Sequence, residues 1–290
     1  MSQLPETITS STSRKTKQKT KMKQTILLGA AMLCLHTLAN GQTQINKKTN
    51  KPDLKTTEKA QAIVIDSAQW RKEYYVVNRD SAYADPRIAL KKLVGGNRRF
   101  VEGKSIRPRQ NMSTIKELED GQAPFATIVG CSDSRVPNEM IFDQGLGDLF
   151  IIRTAGQVSS AASYGSMEFA VAKLKTKLIV VLGHTECGAV AAAVQRPENV
   201  PGHIVTLINE IKPAVAKCSH LPGDPVNNAV RQNVIDQVNN LRDLEPILHK
   251  KYIDGEILIV GAIYDIHTGK VEFIEETLYN LPRPKITETK

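Results

Sequence analysis

The chain has 290 residues, 41% hydrophobic and 24% charged, with 18 Gly and 14 Pro, a profile that excludes a disordered, fibrous or multi-span protein. The formal charge of +9 would suggest a polyanionic partner, but residues 1–41 hold six basic residues and one acidic, so +5 of it lies at the N-terminus and 33 basic against 29 acidic residues remain. So small a surplus, with no basic run interleaved with aromatics, argues against a nucleic-acid partner.

Residues 14–23 are basic and 25–39 apolar, followed by Asn40, Gly41 and Gln42. A positive n-region, an apolar h-region of about 7–15 residues and small residues at its end make a secretory signal peptide over 1–41. The apolar run is shorter than the ~20 residues of a membrane span. Met22 offers an alternative start that opens a compact signal, and bulky Leu33 argues against lipidation at Cys34. The expectation is an exported protein, periplasmic or secreted, with no membrane attachment after cleavage. Residues 42–58 are polar and aperiodic and read as a linker. With 59–83 they form a polar linker and N-terminal helical arm over 42–84 that packs on the body or on a partner subunit. Asp85-Pro86 then opens a helix with Pro at its first position, ending at Gly95 and Gly96.

From 85 to 280, short β-branched apolar runs at 125–129, 149–152, 178–182 and 257–263 alternate with helical patterns at 163–174, 185–194 and 226–250. Runs apolar on both faces suit parallel strands buried between helix layers, and 271–276 reads as an antiparallel edge strand. The class is α/β, an open, mainly parallel sheet flanked by helices in a single domain, with 281–290 as a tail. In such a sheet, ligands bind beyond the carboxyl ends of the strands.

Two strand ends carry chemistry there. One runs into Gly130-Cys131-Ser132-Asp133-Ser134-Arg135, the other into Gly183-His184-Thr185-Glu186-Cys187-Gly188. Cys34 leaves with the signal, and the odd number left, Cys131, Cys187 and Cys218, argues against a simple disulfide framework in an exported protein. Cys131, His184 and Cys187 offer two thiolates and an imidazole, a donor set zinc prefers, with a fourth tetrahedral position open for water. The helix start at Cys187 favours the thiolate. Asp133 and Arg135, two residues apart, point the same way if extended, so the guanidinium holds the carboxylate beside the metal. Zinc lowers the pKa of its water from 15.7 to about 7. Asp133 would orient the resulting hydroxide, and the small residues Gly130, Ala155, Gly188 and Ala189 suit a small neutral substrate. Cys218 has no such company and reads as structural or a free thiol; His36, His203, His220, His249 and His267 read as structural.

At these residues the sequence resembles the β-class carbonic anhydrases, over roughly 85–280. The likeness rests on the stretches around 89–100, 122–137, 141–153 and 180–190. It implies one zinc per chain on Cys131, His184 and Cys187, and reversible hydration of CO2 to bicarbonate and a proton through zinc-bound hydroxide. It also implies an Asp133–Arg135 dyad, with Asp133 as a fourth ligand in a closed state of some relatives. A homodimer or higher homo-oligomer is implied, with the site at the subunit interface. Gln122 would reach the pocket across that interface, Phe150 and Phe169 would line it with Ala155, and the backbone N–H of Gly188 would contact substrate. Three departures stand out: Phe169 where many relatives carry Tyr, Thr154 where Asn is common, and Ile128 where bicarbonate-regulated relatives carry Trp. Two alternatives stay open: hydrolysis of a CO2-like molecule such as CS2 or COS on the same fold, and a non-catalytic zinc or thiol module in which Cys131 and Cys187 pair. A nucleotide-binding Rossmann domain is disfavoured because no GxGxxG follows a strand.

Overall fold

The computed structural model describes residues 78–279, so the signal peptide, the linker, most of the N-terminal arm and the C-terminal tail lie outside the described residues. The strands are β1 (Ala126–Cys131), β2 (Leu149–Thr154), β3 (Leu178–His184), β4 (Leu258–Tyr264) and β5 (Val271–Phe273). The helices are α1 (Arg79–Ala84), α2 (Pro86–Val101), α3 (Met112–Glu117), α4 (Asn138–Ile141), α5 (Ala161–Ala172), α6 (Gly188–Gln195), α7 (Ile204–Cys218), α8 (Pro225–Arg242) and α9 (Leu248–Ile253). The strands form one sheet in the order β2-β1-β3-β4-β5, parallel except for β5. The expected α/β architecture is therefore present, including the antiparallel edge, which is shorter than the 271–276 run suggested. No described helix is long and apolar enough to cross a membrane.

Every residue of β1 and β3 is buried, which is why these segments read as continuous apolar runs instead of alternating ones. Along β3, Val180 and Leu182 join a core with Leu90 and Leu93 of α2. Ile179 and Val181 join the opposite core with Met167 of α5 and Val234, Val238 and Leu241 of α8. Helix α8 lies so close that a Cβ at Gly183 or Gly261 would meet Val234 at 2.6 or 2.7 Å.

Helix α2 starts as expected, with Pro86 at its first turn and the Asp85 carboxylate accepting from the Arg87 N–H at 2.7 Å. It does not stop at Gly95 and Gly96 but continues to Val101. The glycines serve packing: a Cβ at Gly96 would stand 1.7 Å from the Phe142 carbonyl oxygen. The next residue, Asn97, donates to the Ile141 and Gly269 carbonyls and accepts from the Val271 N–H. The last residues of the arm fold as α1, pinned to the body where Arg79 donates to Asp148 at 3.0 Å and to the Ala123 carbonyl.

Two helical readings change. The 226–250 segment is two helices, α8 and α9, because Pro246 has no N–H to continue the ladder. Helix α7 was not anticipated: Pro213 lies inside it, yet Ile208, Ile211, Val215 and Cys218 recur at helical spacing and all are buried. Cys218 thus lies in an apolar core, a free thiol as expected.

Substituting Gly96→Ala should destabilise the fold by about 1–3 kcal/mol or more through overpacking. Denaturant unfolding checks this, and an unchanged midpoint would show that the Phe142 turn yields freely.

Candidate metal centre

Parallel pairing of β1 with β3 sets Gly130 beside Leu182, so Cys131 and His184 emerge from the same end of adjacent strands. After β3 the chain turns through Glu186, at φ +56°, and Cys187 caps α6. These steps bring Cys131 Sγ, a ring nitrogen of His184 and Cys187 Sγ within 4.8 Å of one another. All three are buried, at 4%, 0% and 1% exposure.

The imidazole orientation argues that the cluster holds a metal. His184 Nδ1 lies 2.9 Å from the Thr185 carbonyl, which makes Nδ1 the donor and leaves Nε2 with its lone pair. Nε2 is buried and has no hydrogen-bond partner among the described residues. Leaving such a group unsatisfied costs about 1–3 kcal/mol, and a metal ion between it and the two sulfurs removes that cost. Fixing the far nitrogen on a carbonyl is how metal-binding histidines are oriented.

The sulfurs are prepared as well. Cys131 Sγ accepts from the backbone N–H groups of Asp133 at 3.4 Å and Gly156 at 3.3 Å. Its thiol is pushed well below the usual range, first by the Cys187 S–H that donates to it, then by His184 and these two amides. The Cys187 thiol is pushed up in turn, first by Cys131 and then by burial, while the amides of Val190 and Ala189 at the α6 start act the other way. The two thiols therefore favour opposite protonation states, and a soft dication would bind both as thiolates.

Asp133 and Arg135 meet as expected. Arg135 Nε donates to Oδ1 at 3.0 Å and Nη2 to Oδ2 at 2.8 Å, and the Arg135 backbone N–H adds a third bond to Oδ1. The guanidinium is the main reason the Asp133 carboxyl is held down at about 2, so it stays ionised until pH falls that low. Asp133 Oδ2 lies 3.9 Å from His184 Nε2, placing a fixed negative charge at the edge of the cluster.

The other expected pocket residues divide. Ala155 starts the turn after β2, and Gly188 opens α6 with empty space where a side chain would be. Both are near the cluster, since Cys131 pairs with Thr154. Gln122 instead precedes β1, a strand of six residues that spans about 17 Å at ~3.3 Å per residue. Phe150 pairs with Thr127, about 13 Å short of the metal end on the same rise. It faces Phe169 instead, with ring centroids 6.5 Å apart. Within one chain, Gln122, Phe150 and Phe169 are therefore not gathered around the cluster.

The sequence reading gave Arg153 no role of its own. Its Nε donates to the Cys131 carbonyl at 2.8 Å and its Nη2 to the Asp133 carbonyl at 2.7 Å, clamping the loop that carries both. A lone arginine ending the apolar run 149–152 was the available signal.

Comparison with known proteins follows this geometry. The carbonic anhydrase family model matches residues 126–271. A carbonic anhydrase of Mycolicibacterium smegmatis is 38% identical over 192 residues, covering 65% of this chain and 93% of that one. Among solved structures, the β-carbonic anhydrase CcaA aligns with a TM-score of 0.51 at 28% identity, over 68% of this chain and all of that one. Two tetrameric β-carbonic anhydrases of the ascomycete Sordaria macrospora are represented by a match with a TM-score of 0.51 at 25% identity, covering 65% of this chain and 95% of that one.

Replacing Cys131→Ser or His184→Ala should abolish retention of a stoichiometric metal ion, read by elemental analysis of the purified protein. Full metal occupancy in either variant would remove that residue from the ligand set.

Proposed function

The chain belongs to the β-class carbonic anhydrases, zinc enzymes with carbonate dehydratase activity, and on that premise we propose how its own residues carry out the hydration of CO2. Zinc would be held by Cys131, His184 and Cys187; when bound it brings the ionisation of water from 15.7 to about 7 and so supplies the nucleophile at neutral pH. The observation that carries the reading is the buried, partnerless His184 Nε2 between two thiols, with an ionised carboxylate 3.9 Å away.

Asp133 then acts as an acceptor at Oδ2. It takes a hydrogen bond from the attacking O–H, turning the lone pair toward CO2, and Arg135 keeps the carboxylate ionised and immobile. Because both carboxylate oxygens are engaged by Arg135, Asp133 would have to break these bonds to become a metal ligand; the arrangement favours the open state of the site. The small residues Ala155 and Gly188 leave room for a triatomic substrate.

A second copy of the chain would complete the pocket. Strand β2 ends the sheet with its residues only partly buried, and the neighbouring Phe169 is 48% exposed. An edge unpaired among the described residues, beside an exposed aromatic, is a surface for association. Pairing there would let Gln122 and Phe150 of one copy serve the metal centre of the other, in a homodimer or larger homo-oligomer. The 1–41 leader supports an exported enzyme, periplasmic or secreted, whose catalytic domain covers roughly 85–280.

Stopped-flow CO2 hydration with zinc quantitation tests the mechanism; catalysis of CS2 or COS hydrolysis without CO2 hydration would overturn the substrate assignment. Asp133→Ala should retain zinc and lose about 10²-fold or more of kcat/KM, in line with a positioned acid or base; wild-type activity in that variant would refute its role. Phe169→Glu should shift the oligomer toward monomer in analytical ultracentrifugation with a parallel loss of activity, and an unchanged mass would place the interface elsewhere.

A further inference from the structure

The two backbone N–H groups that reach Cys131 Sγ come from different places. That of Asp133 belongs to the ligand's own loop, whereas that of Gly156 arrives from the turn after β2, 25 residues further on. A donor from so far along the chain has to be aimed. Gly156 is held at its other end as well, because its carbonyl accepts from Asn233 Nδ2 at 3.0 Å. One residue is thus suspended between a sulfur of the metal cluster and helix α8.

The strut is part of the packing. Asn233 is 1% exposed and lies in the buried stripe of α8 with Ala229, Val230, Val234 and Val238. An aliphatic side chain would suit that stripe better, since a buried amide is tolerated only where it finds a partner; Asn233 finds one in Gly156. The turn has a backbone that needs holding. Gly156 takes φ +66° and Gln157 φ +46°, and the second is unfavourable for a residue with a side chain. Gln157 gives no support from within, because both polar atoms of its amide are buried without a partner among the described residues. A Cβ on Gly156 would stand 2.8 Å from Ile211 Cδ1 of α7 and 3.2 Å from Ala189 Cβ of α6, so those helices close on the turn as well.

We propose that Asn233 is a positioning residue for the metal centre: by gripping the Gly156 carbonyl it keeps the Gly156 N–H on Cys131 Sγ, and so sets how much charge that sulfur gives a bound metal. A hydrogen bond to a thiolate stabilises its lone pairs and leaves less of their density for the cation. Partners of this kind, one bond removed from a ligand, commonly matter to a metal site nearly as much as the ligands do. Asn233 stands one bond further out again. It acts through Gly156 and takes no part in the reaction itself.

The inference rests on metal binding by Cys131, His184 and Cys187, and the two can fail separately. Cobalt(II) in place of zinc makes the sulfurs visible through thiolate-to-metal charge-transfer absorption. Asn233→Leu keeps a branched side chain and loses the N–H donor; in its cobalt form this band should move to longer wavelength than in the wild type. Its zinc form should yield zinc to a chelator with about tenfold weaker affinity, at the low end of the ~10–100-fold typical of such partners. Val238→Ala, more than one turn further along the same stripe, should unfold more easily but leave both readings at wild-type values. Should Asn233→Leu fail to fold, Asn233→Ala is held to the same expectations. In the wild type itself, nuclear magnetic resonance should show scalar coupling between the Asn233 side-chain amide and the Gly156 carbonyl carbon. An unmoved band or an unchanged zinc affinity in the Asn233 variants, equal changes in Val238→Ala, or no such coupling in the wild type would each overturn the strut while leaving CO2 hydration by the wild type intact. A wild type that binds neither cobalt nor zinc would overturn the metal reading, and the strut with it.

Discussion

Everything in the site follows from how one imidazole is held. With Nδ1 committed to the Thr185 carbonyl, the ring cannot rotate to satisfy Nε2, which is buried and has no hydrogen-bond partner among the described residues. A buried ring nitrogen without a partner beside two thiols is a site whose polar cost a metal ion would relieve. The cost is carried by two cores in which α2 and α8 grip the central strands from opposite faces.

Much of this was legible in the sequence, for physical reasons. Apolar runs in β1, β3 and β4 suited buried parallel strands, and the sheet rule then put Cys131 and His184 at a common end. The Asp85-Pro86 start of α2 is local chemistry and was read correctly. What went astray was information held by distant residues. Gly95 and Gly96 looked like a stop because the Phe142 carbonyl that requires Gly96 is remote in sequence. Pro213 concealed α7, whose buried stripe outweighs one missing hydrogen bond, and Pro246 marked the break between α8 and α9 but was passed over.

The site shows the same division. Ligand identities and the Asp133–Arg135 pair were local and therefore visible. Arg153 matters through a contact 22 residues away, which no spacing rule reveals. Gln122 and Phe150 are a different case: family resemblance named them, and their distance from their own cluster is itself the reason to expect a second subunit.

Arg153 has a mechanical corollary. It belongs to the outermost strand, yet its guanidinium grips the carbonyls flanking Ser132, so any force that bends or braces that margin of the sheet is transmitted straight to a sulfur ligand and to the carboxylate beside it. A body resting against that rim would press on the reaction centre through a single side chain, the guanidinium of Arg153 acting as the tendon.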